Sequence, residues 1–344
     1  MKKYNVAILG ATGAVGQEFL NLIEERNFPF ANLKMLASKR SAGKKIQFMG
    51  KEYTVEETTE DSFKDVQIAL FAGGSASKVF APAAVKAGAV VIDNSSAFRM
   101  DPEVPLVVPE VNPEAIAQHK GIIANPNCST IIMVMALKPL YDVSKIKRIV
   151  VSTYQAVSGG GKEAMAELDD QIKAIANGGE IVANILPGAS LKKHYQIASN
   201  LIPQIDVFMD NLYTKEEMKM VNETKKIMCD DDIRVTATTV RVPVMRSHAE
   251  SVNVEFENEV SVEKAREVLA AFPGVILTDN PDEQIYPMPL DTAGKDDVEV
   301  GRIRKDFSTE NALNFWVCGD QIRKGAALNA LQIAEYMIQN DMIK

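Results

Sequence analysis

The sequence predicts an α/β protein in which an amino-terminal parallel sheet is followed by a second domain of the α+β class. Short apolar strands alternate with helices over residues 1–125, and longer, partly alternating strands follow from about 146 to 318. The chain of 344 residues is also longer than a single core usually supports. We therefore expect one domain over 1–127 plus about 320–344, and another over 128–319.

The first domain is predicted from strands that are apolar without interruption, as strands covered on both faces of a parallel sheet usually are. These strands are expected at 6–9, 33–37, 68–71, 90–92 and 122–124. Helical patterns run through 19–23 and over 77–87. Because parallel neighbours need a crossover connection, this alternation indicates a parallel sheet with helices on both faces.

The second domain is predicted from a change in the strand pattern. Strands are expected at 148–157, 234–242, 251–257 and 313–318, and helices at 162–176, 215–228 and 262–271. Partial alternation of apolar and polar residues is typical of a mixed or antiparallel sheet with one covered face. A last helix, at about 323–339, is expected to return to the first domain.

Composition excludes several classes of protein. The net charge of -8, without a lysine or arginine cluster, argues against a nucleic-acid partner. No apolar stretch is long enough to cross a bilayer, and the amino terminus leads into a strand, so we expect a cytoplasmic protein without a membrane partner. Three cysteines without paired spacing do not indicate a disulfide framework, and no metal-binding motif is present.

A glycine-rich segment, 10–16, follows the first strand and opens a helix. Small residues there let backbone N–H groups approach a pyrophosphate at the helix amino terminus, as in Rossmann-type domains. Glycines at the first, fourth and seventh positions depart from the usual G-x-G-x-x-G spacing, so a glycine turn without a ligand remains an alternative. The residues expected to contact a dinucleotide are Gly10, Thr12, Gly13, Ala14 and Val15.

The end of the second strand indicates which dinucleotide is bound. NAD sites usually place an acid there to bind the ribose 2′-hydroxyl. Here the segment carries Ser38, Arg40 and Ser41 and no acid. A guanidinium and two hydroxyls suit a 2′-phosphate, so the sequence predicts NADP (NADPH), although a solvated basic turn is the alternative.

Cys128 is the candidate nucleophile. Pro126 favours extended backbone before it, Asn127 is a typical N-cap, and an apolar run follows at 131–137, so the cysteine is expected in the first turn of a helix. The positive end of the helix dipole favours thiolate there. The alternative is a small buried hydrophobic residue, as most free cysteines are.

Further candidates surround a predicted strand break. Gln155 precedes a glycine-rich loop, and Glu216 and Lys219 share one face of a helix. Arg241 and His248 would point to opposite faces of one straight strand, so they can converge only if the strand breaks between them. Taken alone, each of these residues is better interpreted as a surface or structural residue.

Over essentially its whole length the sequence resembles the aspartate-semialdehyde dehydrogenase family. The matching segments are 10–16, 91–99, 125–130, 154–159, 240–248 and 319–327. The resemblance implies NADPH-dependent reductive dephosphorylation of L-β-aspartyl phosphate to L-aspartate 4-semialdehyde, on the route to lysine, diaminopimelate, methionine, threonine and isoleucine. It also implies a homodimer or homotetramer, with catalysis and dimerisation in the second domain.

The resemblance implies a role for each candidate residue. Cys128 would form the acyl thioester, Gln155 would orient the substrate, and His248 would act as acid and base, since the unperturbed pKa of histidine is near neutrality. Arg241 would bind the substrate carboxylate and Glu216 its ammonium group. The remaining implied contacts are Arg99, Lys219 and Asn94 to the phosphate, and Ser158, Gly159 and Gln321 to the nicotinamide half of the cofactor.

Two rival interpretations remain open from the sequence. One is another acyl-phosphate reductase with a cysteine and histidine pair, such as N-acetyl-γ-glutamyl-phosphate reductase or a phosphorylating glyceraldehyde dehydrogenase. The other is a non-catalytic NADP-binding sensor on the same scaffold, which would have no use for the cysteine, the histidine and the phosphate-binding bases together.

Overall fold

The computed structural model describes residues 2–343. Within that range the strands are β1 (Tyr4–Leu9), β2 (Phe30–Ala37), β3 (Lys45–Phe48), β4 (Lys51–Thr54), β5 (Glu56–Glu57), β6 (Ile68–Phe71), β7 (Val90–Asp93), β8 (Ile122–Ala124), β9 (Ile146–Gln155), β10 (Arg234–Arg241), β11 (His248–Phe256), β12 (Val275–Leu277), β13 (Val298–Lys305) and β14 (Ala312–Gly319). The α-helices are α1 (Ala14–Glu25), α2 (Ala76–Lys86), α3 (Cys128–Tyr141), α4 (Lys162–Asn177), α5 (Lys215–Met228), α6 (Val262–Ala271), α7 (Pro289–Thr292) and α8 (Leu328–Gln339). No helix among these is long and apolar enough to cross a bilayer.

The chain divides into two compact units. Unit 1 comprises residues 1–127 and 326–344, and unit 2 comprises residues 128–325. The return of the last helix to the amino-terminal unit explains why unit 1 is discontinuous in sequence: α8 contributes to the same apolar core as α1.

Unit 1 contains a six-stranded sheet in the order β5-β2-β1-β6-β7-β8. Every neighbouring pair in it is parallel. Helices α1 and α8 form one core with the sheet, in which Phe19 and Leu331 are buried, and α2 contributes to a second core around Phe71. The prediction of a parallel, Rossmann-type sheet is confirmed, because its continuous apolar strands are covered by both cores.

Unit 2 contains a mixed sheet in the order β10-β9-β11-β14-β13-β12. The two edge pairs are parallel and the three central pairs are antiparallel. Helices α3, α5 and α6 pack on one face. On the other face, alternate residues such as Ser251, Asn253 and Trp316 are only half-buried. The predicted α+β class is confirmed, and the alternation of the strands reflects one covered and one open face.

Several elements were missed or misplaced by the sequence patterns. The hairpin β3–β4, the edge strands β5 and β12, and β13 were not predicted. Strands β3, β4, β5 and β12 have only two to four residues each, which is too short to show a period of two. Strand β13 carries charged residues towards its end. Strand β9 ends at Gln155 rather than at 157, because a 3-10 turn, Val157–Gly160, follows it. Strand β11 begins three residues earlier than expected, at His248.

A carboxyl group is buried within the unit 2 sheet. Glu250 lies on β11 between Thr153 of β9 and Val317 of β14, and it is fully buried. Neither carboxyl oxygen has a hydrogen-bond partner among residues 2–343. Burial raises the pKa of Glu250 well above its ordinary value and so favours the neutral, protonated carboxyl group over the carboxylate.

We expect Glu250→Gln to flatten the pH dependence of stability. Above about pH 4.5 the unfolded carboxyl ionises while the folded one keeps its proton, so the folded state loses stability, by up to about 1.4 kcal/mol per pH unit, as pH rises towards the folded pKa. The neutral amide removes this contribution. Urea unfolding between about pH 5 and about pH 8 measures it. Glu263→Gln, which removes an exposed carboxyl group of the same unit, is the control, and equal slopes in Glu250→Gln and wild type would contradict the assignment.

Candidate active site

The candidate nucleophile begins the long buried helix of unit 2. Cys128 is the first residue of α3, as predicted, and its side chain is half-buried. Residues 129–137 of the helix are buried, so the backbone that carries the sulfur is held by the core. Gly325 lies against this cysteine: a Cβ on Gly325 would stand 2.9 Å from the Cβ of Cys128. A side chain at 325 would therefore displace the side chain of Cys128.

His248 lies directly beside the sulfur. Its Nε2 is 3.5 Å from Sγ of Cys128, and the backbone N–H of Ala156 donates to its Nδ1 at 3.0 Å. Because Nδ1 accepts that hydrogen bond, the neutral ring carries its proton on Nε2, the nitrogen that faces the sulfur. The ring can thus donate a hydrogen bond to a thiolate and to an oxyanion formed next to it.

The electrostatics of His248 correct one expectation. The sequence suggested a pKa near neutrality, but burial lowers the pKa of His248, the Arg241 guanidinium lowers it further and Glu216 opposes them, leaving it at about 3. The unliganded ring is therefore neutral. A negative charge that forms on the substrate oxygen beside Nε2 would favour the protonated ring, so we expect the pKa of His248 to rise while substrate is bound and reacting.

Gln155 ends β9 with its amide oriented by two neighbours. The Thr153 hydroxyl donates to Oε1 at 2.9 Å, and Nε2 donates to Oε1 of Glu216 at 3.3 Å. Nε2 also lies 3.4 Å from Nε2 of His248. The side chain is buried, so this amide joins the histidine and the glutamate in one polar cluster.

Arg241 ends β10 and is almost fully buried. One guanidinium nitrogen, Nη1, donates to the carbonyl oxygen of Ala156 at 2.6 Å. Its Nε has no hydrogen-bond partner among residues 2–343. Burial lowers the pKa of Arg241, while Glu216 and Cys128 oppose that shift. The arrangement leaves a cationic donor aimed into the cluster, as binding of a carboxylate requires.

The predicted break between Arg241 and His248 is present. Strand β10 ends at Arg241 and β11 begins at His248, while the connecting Ser247 adopts a φ of 76°. The two side chains converge on Gly159, where a Cβ would stand 2.9 Å from Nη1 of Arg241 and 3.5 Å from Cε1 of His248. Glycine is therefore required at 159, because any side chain there would come too close to Arg241 and His248.

Glu216 and Lys219 face the same cluster from α5. Nζ of Lys219 donates to Oε2 of Glu216 at 2.9 Å and to Oδ2 of Asp206 at 3.1 Å. Burial lowers the pKa of Lys219, but the two carboxylates outweigh it, and the net shift is upward. The lysine thus stays charged at neutral pH.

The residues predicted beside the nicotinamide form a second hydrogen-bonded group in unit 2. Nε2 of Gln321 donates to the hydroxyl of Ser158, and its Oε1 accepts from the backbone N–H of Ser247 at 2.8 Å. The Ser247 hydroxyl in turn lies 2.6 Å from that of Thr292. The amide of Gln321 is therefore held in one orientation by main chain and side chain.

Asn94 and Arg99 lie together in unit 1. Arg99 is buried and donates from Nε to the carbonyl oxygen of Asn125 at 3.0 Å and from Nη2 to that of Asn94 at 2.8 Å. The Asn94 amide donates to the carbonyl oxygen of Phe71 at 2.9 Å and accepts from Asn125 at 3.0 Å. These contacts fix both predicted phosphate ligands at the carboxyl ends of β6, β7 and β8.

A cavity of about 460 Å³ in unit 1 is lined by Gly10, Thr12, Gly13, Ser38, Arg40 and Ser41, together with residues that follow β5 and β6. Ala14 and Val15, the first residues of α1, are not among its lining residues. Gly10 has a φ of 87°, and a Cβ there would meet the carbonyl oxygen of Ala72 at 2.5 Å. These residues fit a dinucleotide, because small side chains leave the backbone and the basic turn facing the cavity.

Some residues of the sites were not found from sequence. Glu57 and Thr58 line the unit 1 cavity because β5 pairs with the end of β2, so an acid lines the same cavity as Arg40. Asp206 likewise reaches the cluster from the segment between α4 and α5. No motif marks these three positions. Among residues 2–343, no cluster of three or more histidine, cysteine or acidic side chains could hold a metal ion.

Comparison with known proteins bears on the whole chain. A family model described as "Semialdehyde dehydrogenase, NAD binding domain" matches residues 5–119, and one described as "Semialdehyde dehydrogenase, dimerisation domain" matches residues 137–324. The aspartate-semialdehyde dehydrogenase of Aquifex aeolicus (strain VF5) is 58% identical over 344 residues, which cover 99% of this chain and 99% of that protein.

Solved structures agree with these matches. The crystal structure of aspartate semialdehyde dehydrogenase II complexed with ASA from Vibrio cholerae superposes with a TM-score of 0.93 at 50% identity, covering 98% of this chain and 99% of that chain. The aspartate semialdehyde dehydrogenase with NADP from Candida albicans gives a TM-score of 0.72 at 26% identity, covering 98% of each chain. The resemblance found in the sequence is confirmed: the chain belongs to the aspartate-semialdehyde dehydrogenase family.

Proposed function

We propose that the protein converts L-β-aspartyl phosphate and NADPH reversibly into L-aspartate 4-semialdehyde, inorganic phosphate and NADP, through an acyl thioester on Cys128. The observation that carries this proposal is the cluster in unit 2, where Cys128, His248, Gln155, Glu216 and Arg241 meet. This set provides a nucleophile, a proton carrier and two opposite charges for an amino-acid substrate. A reactive thiol requires a reducing compartment, and we place the enzyme in the cytoplasm.

Cys128 makes and breaks the covalent bond. The start of α3 presents the positive end of its dipole to Sγ, and the Nε2 proton of His248 faces the same atom. The thiolate attacks the acyl phosphate carbon, the C–O bond to phosphate breaks, and phosphate leaves with the bonding electrons. Hydrogen-bond donors near Sγ stabilise the oxyanion that forms during this attack. One such donor contributes about 3–4 kcal/mol in well-studied enzymes.

The charged residues orient the substrate by its α-carbon groups. Arg241 binds the α-carboxylate, Glu216 binds the ammonium group, and Lys219 contacts the phosphate. Gln155 holds the acyl group beside the sulfur through an amide fixed by Thr153 and Glu216. The contact with Glu216 requires a charged ammonium group on the substrate. An N-acetylated substrate has no such group and loses this contact.

When bound, the nicotinamide supplies the hydride that reduces the thioester carbon. Ser158, Gly159 and the fixed amide of Gln321 border its position, with Gly159 leaving room against Arg241. His248 donates its proton to the oxygen of the resulting thiohemiacetal and takes a proton back when the aldehyde and thiol separate. The predicted rise in the pKa of His248 with substrate bound makes the ring able to serve in both steps.

NADP rather than NAD is proposed as the cofactor. Ser38, Arg40 and Ser41 line the cavity in unit 1, and a guanidinium with two hydroxyls suits a 2′-phosphate. The solved relative from Candida albicans is described with NADP. Glu57 lines the same cavity and is compatible with NADP where the Arg40 cation balances its charge.

Replacing Ser38 and Arg40 together by alanine should move cofactor preference towards NAD. Losing the contacts to the 2′-phosphate should lower the ratio of kcat/KM for NADP over NAD by at least about ten- to a hundredfold, since even one hydrogen bond to a charged group contributes about 1.5–3 kcal/mol. Steady-state kinetics with both cofactors measure the ratio. Lys45→Ala, which removes an exposed cation of unit 1 outside the cavity, should leave the ratio unchanged.

A homodimer, or a tetramer built from it, is proposed as the working assembly. The model that matches residues 137–324 describes a dimerisation domain. The open face of the unit 2 sheet carries half-buried residues, among them Tyr154 and Trp316, whose rings lie 5.3 Å apart. A half-buried sheet face that carries aromatic side chains is a suitable surface for a second copy.

The decisive test uses enzymatically generated β-aspartyl phosphate and measures NADPH oxidation by absorbance. The expected result is rapid oxidation with aspartyl phosphate and at least about a hundredfold lower kcat/KM with N-acetyl-γ-glutamyl phosphate, because that substrate has no ammonium group for Glu216. Comparable activity with the acetylated substrate would favour the other acyl-phosphate reductase. Tight NADPH binding without turnover on any acyl phosphate would favour the sensor.

A further inference from the structure

The ammonium group of Lys219 is shared between two carboxylates. Nζ donates to Glu216 at 2.9 Å and to Asp206 at 3.1 Å, and the lysine side chain is 19% exposed. Glu216 lies one turn earlier on the same helix, so its contact follows from helical spacing. Asp206 comes from the segment between α4 and α5, so its contact depends on the fold.

The local backbone holds the Asp206 carboxylate in place. Asp206 adopts a φ of 68°, a conformation that few residues other than glycine prefer. Its Oδ1 accepts from the backbone N–H of Val207 at 2.8 Å, and its carbonyl oxygen accepts from the Gln204 amide at 3.1 Å. With Oδ1 occupied by this turn, Oδ2 is directed to Lys219.

The segment that carries Asp206 is also tied to the site by main chain. Ile202 and Arg241 exchange two backbone hydrogen bonds, of 3.0 Å and 2.9 Å. The same short bridge thus fixes the residue that binds the substrate carboxylate and places Asp206 four residues later. Asp206 is positioned as part of the cluster and is no incidental surface partner of Lys219.

We propose that Asp206 lowers the affinity of the site for inorganic phosphate by sharing the charge of Lys219. The inference rests on the proposed function, in which Lys219 contacts phosphate. Lys219, Glu216 and Asp206 together carry a net charge of about one negative unit, whereas Lys219 and Glu216 alone would be neutral. A phosphate at Lys219 therefore meets less attraction than the lysine alone would give. Weak binding suits an anion that must leave after each acylation.

Neutralising Asp206 should tighten phosphate binding. In the oxidative direction, with L-aspartate 4-semialdehyde and NADP, Asp206→Asn and Asp206→Ser should each lower KM for phosphate by about three- to tenfold. KM for the semialdehyde and for NADP should change less than about twofold, since neither contacts Lys219. Phosphate should become a correspondingly stronger product inhibitor of the reductive reaction. A merely structural role of Asp206 would instead raise KM values or lower kcat.

Three further variants isolate the charge at Asp206. Asp206→Glu keeps the charge and should stay nearer to the wild-type KM for phosphate than either neutral variant. Asp210→Asn removes an exposed charge from the same segment and should change nothing. In a Lys219→Met background, Asp206→Asn should no longer lower KM for phosphate. An unchanged or raised KM in both neutral variants of an otherwise active enzyme would overturn this inference alone, whereas absence of wild-type turnover would overturn the proposed function with it.

Discussion

Cys128→Ser should lower kcat by at least about a thousandfold while leaving NADPH binding near the wild-type value. Serine keeps the size and the helix position of the side chain, but its hydroxyl ionises far less readily than a thiol, so the nucleophile is lost. NADPH affinity should persist because the predicted contacts of its 2′-phosphate, Ser38 and Arg40, lie in unit 1. Stopped-flow turnover and fluorescence titration with NADPH measure the two quantities.

The other thiols provide controls for this result. Cys229 is exposed, so Cys229→Ser should retain wild-type turnover. Cys318 is buried on β14, and burial raises the pKa of its thiol, so it should remain inert to alkylation. Intact-mass analysis of enzyme mixed with aspartyl phosphate alone should show one acyl group, and Cys128→Ser should show none. Full turnover in Cys128→Ser, or an acyl group on another cysteine, would refute the assignment of the nucleophile.

His248→Asn should lower kcat by about a hundred- to ten-thousandfold, the usual contribution of a positioned acid–base group. Asparagine can still accept the backbone hydrogen bond of Ala156 through its amide oxygen, so the local fold should be kept. It has no group that reaches the position of Nε2, 3.5 Å from Sγ. KM for aspartyl phosphate should change little, because Arg241 and Glu216 bind its charged ends.

The pH dependence of this variant provides a second measurement. In the free wild-type enzyme, a pKa of about 3 leaves His248 neutral over the working range, so kcat/KM should show no ionisation of this ring above about pH 5. The pH dependence of kcat reports the substrate-bound enzyme. There we expect an ionisation of His248, which His248→Asn should abolish. His194→Asn, in a half-buried loop position, is the control and should keep the wild-type profile. A histidine ionisation of kcat that persists in His248→Asn would contradict the acid–base role.

Local patterns were sufficient for much of the fold. The helix at Cys128 was predictable because proline and asparagine precede it and an apolar run follows, and α5 and α6 were predicted at their observed bounds. The break between Arg241 and His248 was required by the period of two along a strand and is present. These features depend on residues close together in the chain, so they can be predicted from the periodicity of apolar residues.

The short strands were not predictable for the opposite reason. Strand β5, of two residues, forms because its backbone pairs with the end of β2, and this pairing also brings Glu57 to the cofactor cavity. An acid absent from the end of the second strand in sequence is thus present beside it in space. Whether a short edge strand forms depends on backbone pairing with the neighbouring strand rather than on its own side chains.

The sequence alone was sufficient for the fold class and the family, and it indicated the candidate nucleophile and the glycine-rich segment, because each rests on local order or on long matching motifs. The charge states and the side-chain orientations within the cluster could be found only from the tertiary structure. The pKa of His248 is set by burial and by Arg241, and Lys219 shares its charge with Asp206. These effects act across a few ångströms between residues far apart in the chain, and no linear pattern records such distances.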